Sequence, residues 1–149
     1  LIETITGSYT SYLSLYLAEL YNNLCYDYKG QRYMIPDNCL RFDMSIKISD
    51  IRNFKVTLGS RLISSKFISF AQIVNDNFLK KEGVNLVRIE IDETSFSPMV
   101  VTDLGWKVLM DSNRSPEYQL DDLVLLLEKH KSDIHEYVDL RVPGYGYYK

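Results

Sequence analysis

Between Trp106 and Lys149 the spacing of apolar side chains changes from 2 to 3.6 and back again, and this constrains the fold more than any other feature of the chain. "WKVLM" (106–110) alternates as a strand. In "SPEYQLDDLVLLLEKH" the residues Leu120, Leu123, Val124 and Leu127 fall on one helical stripe. The start of that helix is marked three times over: Ser115 can cap it, Pro116 suits its first position, and Glu117 favours the positive end of its dipole. "EYVDLRV" then alternates again, with Val138, Leu140 and Val142 expected to face the core and Tyr137, Asp139 and Arg141 the other side. Pro143-Gly144 has the residue order of a type II turn, and "YGYYK" follows as a last strand.

The same two periods recur upstream. "FKVTL" (54–58) reads as a strand ended by Gly59. Ser64 or Ser65 then caps a helix with Phe67, Phe70, Ala71, Val74 and Phe78 on one stripe, and Gly83 supplies its stop. "LVRIEI" (86–91) and "MVVT" (99–102) are further strands, the latter joined to "WKVLM" across the hairpin-sized "DLG". The order β-α-β-β-β-α-β-β predicts an α+β domain over residues 51–149, a mostly antiparallel sheet with two helices on one face. Residues 1–50 form a separate N-terminal segment. Leu13, Tyr16, Leu17 and Leu20 predict a short amphipathic helix, "CYDYKGQRYMIP" a hairpin around Lys29-Gly30, and Pro36 to Asp50 a connection.

Hydrophobic residues make up 46% of the 149 and charged ones 25%, enough for a core and for solubility, which excludes a disordered chain. The net charge is −3 and the basic residues are scattered, so the chain lacks the footprint of a nucleic-acid binder. The apolar stretch Leu13 to Leu24 is broken by Ser14, Glu19, Asn22 and Asn23, too soon for a membrane span. Since residue 1 is Leu rather than Met, the chain is expected to be a piece of a longer protein. Cys25 and Cys39 either bridge in an oxidising compartment or stay as two thiols.

No catalytic constellation emerges. His130 and His135 are five residues apart across a helix end, which does not make an i, i+4 metal pair, and no third ligand accompanies them. Glu90, Asp92 and Glu93 read as the solvated side of a half-buried strand; as an alternative, Glu90, Asp92 and the histidines together would serve a small enzyme or ligand-binding domain. Neither a nucleophile elbow nor a phosphate-binding glycine loop is present, and no cofactor is implied. Asn113-Arg114-Ser115 matches a glycosylation acceptor, a pattern common by chance, and here Pro116 follows it.

The terminal tyrosines are harder to explain as packing. Tyr145 and Tyr147 should point to one side of the last strand and Tyr148 to the other, so both faces carry a large amphipathic ring. Such a strand at the margin of a sheet is suited to accept a partner's strand, with backbone bonds for affinity and alternate side chains for selectivity. A structural protein that assembles with itself through this edge is a further alternative.

"GWKVLMDSNRSPEYQLDDLVLLLEKHKSDIHEYVDLRVPGYGYYK" resembles the C-terminal part of the extracytoplasmic domain of the FtsQ/DivIB cell-division proteins. There, too, a G-W-x-V strand precedes a helix with a "QL..L...L" stripe, then a "YVDLR" strand and a final strand. "CYDYKGQRY" is similar to the hairpin near the end of that family's POTRA subdomain, and the likeness covers Cys25 to Lys149. The resemblance implies a non-catalytic scaffold on the outer side of the bacterial cell membrane, held by a single anchor outside these residues. It implies a partner of the FtsB/DivIC type, in complex with an FtsL-like protein, docked as an added strand. Carried over by position, the partner edge would be Arg141, Val142, Gly144, Tyr145, Gly146, Tyr147 and Tyr148. Asp139 beside Arg141 would orient the arginine toward a carboxylate of the partner.

Overall fold

The structure, a computed structural model, describes residues 24–28, 31–32, 46–52, 63–78 and 82–149. Those residues form an α+β fold built on a mixed sheet. Its strands are β1 (Leu24–Tyr28), β2 (Gln31–Arg32), β3 (Ile46–Asp50), β4 (Leu86–Ile91), β5 (Met99–Thr102), β6 (Lys107–Leu109), β7 (Tyr137–Asp139) and β8 (Tyr147–Tyr148). Their spatial order is β2-β1-β3-β4-β5-β6-β7-β8. Helix α1 (Ser65–Asn77) lies between β3 and β4 in sequence, and α2 (Pro116–His130) between β6 and β7. The expected N-terminal helix, the "FKVTL" strand and Cys39 lie outside the described residues.

The sheet is less antiparallel than the sequence suggested. β1 with β3, β3 with β4, and β6 with β7 are parallel pairs; the other four pairings are antiparallel. For β3 with β4 and β6 with β7 the reason is the helices. A strand that leaves through a helix and returns next to itself comes back parallel, and both α1 and α2 make that crossover. Both units step in the same direction along the sheet from strands that run the same way. Right-handed crossovers therefore put α1 and α2 on one face, where they share a core with the strands.

A strand also stands where a connection was expected. In "IKISD" Ile46, Ile48 and Asp50 point inward, and the third member of that row is an acid, which hid the alternation. Fully buried Asp50 is held by Arg52, whose backbone N–H, Nε and Nη2 all donate to its carboxylate at 2.6–3.1 Å. Through the β3–β4 pairing, residues on the two sides of position 50/51 belong to one sheet. The expected hairpin around Lys29-Gly30 is formed by β1 and β2, Tyr28 opposite Gln31.

Helix α1 begins at Ser64, whose Oγ accepts from the Phe67 N–H at 3.1 Å. Phe67, Phe70, Ala71 and Val74 are buried as their spacing requires, with Phe78 just beyond the helix end. The helix ends at Asn77, and Gly83 serves the turn into β4 instead, at φ 67°. Helix α2 is capped by Ser115, with Pro116 opening it, and buries Leu120, Leu123 and Leu127. Its Gln119 is fully buried as well. The Gln119 Oε1 accepts from the Asp111 N–H at 2.8 Å, and its Nε2 donates to the carbonyls of Asp111 and Ser115 at 2.9 and 3.1 Å. One side chain thus fixes the loop from β6 to α2, and with it the angle from which α2 returns the chain to β7.

Candidate docking edge

After α2 a short 3₁₀ turn, Lys131–Asp133, leads into β7, whose Val138 is fully buried. Leu140 is buried just past the strand end, where its N–H donates to the Leu109 carbonyl. Val142, expected in the same inward row, is exposed instead, because the chain has already left the sheet for the turn. That turn is as predicted: the Tyr145 N–H donates to the Val142 carbonyl at 3.2 Å, and Gly144 sits at φ 75°, which only glycine adopts without strain.

β8 pairs antiparallel with β7, Tyr148 opposite Val138 and Tyr147 opposite Asp139. Lys149 and Tyr137 exchange both backbone bonds, at 3.1 and 3.4 Å, and the Lys149 carbonyl also accepts from the N–H groups of His135 and Glu136. In an antiparallel ladder such bonded pairs alternate with unbonded ones. The N–H and C=O of Tyr148 are therefore turned away from β7, along the outer margin of the sheet. No strand lies beyond β8 among the described residues.

The side chains arrange themselves as the alternation requires. Tyr145 and Tyr147 lie on one side with their rings 6.4 Å apart and 17° from parallel, and both are more than half exposed. Tyr148 is on the helix side, stacked on His130 of α2 at 5.0 Å, its Oη 3.1 Å from His130 Nδ1. That nitrogen is also 3.3 Å from Asp133 Oδ2. Gly146 passes close over α2, and a Cβ there would meet Leu126 Cδ1 at 2.6 Å. The backing of the edge by His130 and Leu126 was not legible in sequence, since the contacts join residues about twenty positions apart with no motif between them.

Arg141 is already engaged. Its Nε and Nη2 donate to the two oxygens of Asp139 at 2.9 and 2.5 Å, and its backbone N–H to one of them at 3.0 Å. Those bonds hold the Asp139 carboxyl below the usual range and raise the arginine; Glu93 adds attraction from the neighbouring loop. The guanidinium remains partly exposed, so a further carboxylate can reach it.

The alternative acid–histidine site is not assembled. Glu90 lies on the sheet face away from the helices, between Arg88 and Lys107, whereas His130 belongs to the helix-covered side. Burial raises the Glu90 carboxyl, but hydrogen bonds from Lys107 at 2.8 Å and from Arg88 outweigh it and leave the group lowered, the wrong direction for a general base. Among the described residues no group of three or more His, Cys, Asp or Glu could hold a metal ion, and no helix is long and apolar enough to cross a membrane. No protein-family model matches the chain, and no curated protein matches it.

Proposed function

We propose that this domain is a non-catalytic docking module that takes up a partner's strand along β8, as a scaffold of the FtsQ/DivIB kind recruiting an FtsB/DivIC-like protein and its FtsL-like companion during bacterial cell division. The observation that carries the reading is the outward-turned backbone of Tyr148 on the last strand of the sheet, beside two exposed, near-parallel tyrosine rings. An added strand would bond to Tyr148 and lay alternate side chains against Tyr145 and Tyr147 on one side and against the Tyr148–His130 stack on the other. Arg141 and the turn residues Val142, Gly144 and Gly146 would border it. The division role, its extracytoplasmic location and the membrane anchor rest on the sequence resemblance alone.

The test is binding of the domain to a peptide from the C-terminal region of an FtsB/DivIC-like protein, followed by calorimetry. Saturable binding, weakened by Tyr147→Ala and abolished by deletion of residues 143–149 in a chain that keeps its circular dichroism, is the expected result. Undiminished binding after that deletion would remove β8 from the mechanism.

A further inference from the structure

The sheet face opposite the helices is covered by no described element. Its centre is apolar, with Met99 beside Leu109 and Tyr137 in the neighbouring row. Around them stand the cations Lys47, Arg88, Lys107 and Arg141 and the acids Glu90, which bridges Arg88 and Lys107, and Asp139, which lies beside Leu109 and pairs with Arg141. Lys47 is exposed and makes no ion pair among the described residues. These cations outnumber the two acids, so the face is weakly positive in a chain of net charge −3.

The outer side of α2 has the complementary character. Tyr118 and Leu125, i and i+7 on the helix, are 72% and 59% exposed. Glu117, Asp121, Asp122 and Glu128 flank them, with Lys129 the cation on that side. Asp121, Asp122 and Glu128 make no ion pair among the described residues. From Glu117 to Glu128 a helix rises about 16 Å. From β3, which carries Lys47, to β6, which carries Lys107, three strand spacings cover about 14 Å. The acidic margin of the helix and the cationic row of the sheet thus match in length as well as in sign.

We propose that α2 of one copy of this chain docks on the sheet face opposite the helices of a second copy, Tyr118 and Leu125 against Met99 and Leu109, with the acidic margin of α2, Asp121 and Asp122 included, along the row of Lys47, Arg88 and Lys107. The two surfaces differ, so the contact is heterologous and adds copies head to tail instead of closing a dimer. It uses neither the β8 backbone nor Tyr148, and it stands or falls separately from strand addition. Exposed charges carry much of it, so the association is weak and sensitive to salt.

Sedimentation velocity of the whole chain tests this, up to about 0.5 mM. Association at about 0.05 M salt that disappears at about 0.5 M is expected. Lys47→Glu alone, and Asp121→Lys with Asp122→Lys, should each weaken it about fivefold or more, with circular dichroism unchanged. Mixing the two variants should restore it, because the reversed charges then face each other. A chain that stays monomeric at low salt overturns the proposal. So does association that ignores both substitutions, including one lost only on Tyr148→Pro, which would place the contact on the β8 edge.

Discussion

Replacing Gln119 by leucine keeps nearly the same volume and deletes three hydrogen bonds at one stroke. Of the groups it abandons, the Ser115 carbonyl sits at the first turn of α2, where the backbone supplies another donor. The C=O of Asp111 keeps the Arg114 N–H at 3.2 Å, but its N–H has no other partner among the described residues and lies against a side chain with no exposed surface. Leaving a buried polar group unpaired costs about 1–3 kcal/mol, reduced here because Asp111 is half-exposed and water can reach part of it. Gln119→Leu should therefore destabilise the domain by about 1–2 kcal/mol, or about 2–8 °C in Tm for a chain of this size, read by urea and thermal unfolding. Gln119→Glu sharpens the test. Its carboxylate would face two carbonyl oxygens, so its folded pKa must rise above the unfolded value, and stability should fall as pH rises above about 4.3. A loss below about 0.5 kcal/mol for leucine, or a glutamate variant equally stable at pH 5 and pH 7, would refute the reasoning.

Other outcomes follow from the same contacts. Glu90 and Asp139 are both held below their usual carboxyl values, so the unfolded chain binds more protons than the native one near those values. Stability should be full above about pH 4.5 and fall as pH drops through the native values; urea midpoints between pH 2 and 6 should show that slope, flattened in Glu90→Gln and Asp139→Asn. Gly144→Ala has open space around it but a left-handed backbone, and should cost about 1 kcal/mol in urea unfolding. His130→Ala removes the ring that Tyr148 stacks on, so amide exchange at Lys149 should quicken while the protection of β4 and β5 stays unchanged.

Much of the fold could be read from the sequence because local signals and core burial agree. Ser64 and Ser115 cap where they should, and Leu120, Leu123 and Leu127 turn inward together. The misreadings share a cause. β3 was hidden by Asp50, a charge in a buried row that makes sense only with Arg52 folded back on it. Val142 follows the inward spacing of Val138 and Leu140, but the turn claims it before the sheet does. Gln119 stood in plain view within "QL..L...L", yet its role depends on Asp111, eight residues earlier and on the other side of a turn. Parallel pairing is likewise a property of the crossovers and leaves no mark on the alternation of any single strand.

How binding energy would be divided on β8 can be argued from its length. An added strand gains two backbone hydrogen bonds at Tyr148, worth about 1 kcal/mol each after competition with water. Association itself costs about 4–15 kcal/mol in lost freedom, so those bonds alone would leave the partner in solution. The deficit has to be met by side chains, and the exposed rings of Tyr145 and Tyr147 offer the apolar area nearest the edge. A strand of two residues, entered through Pro143, which has no N–H to offer, is also a poor template for indiscriminate pairing. On this argument the backbone sets the register and the tyrosines choose the partner. Tyr147→Ala should weaken a bound peptide at least tenfold, about 1.4 kcal/mol, and more than an amide-to-ester change at Tyr148, which removes one donor. The reverse order, with the ester more damaging than the alanine, would mean that the backbone and not the aromatic pair carries recognition.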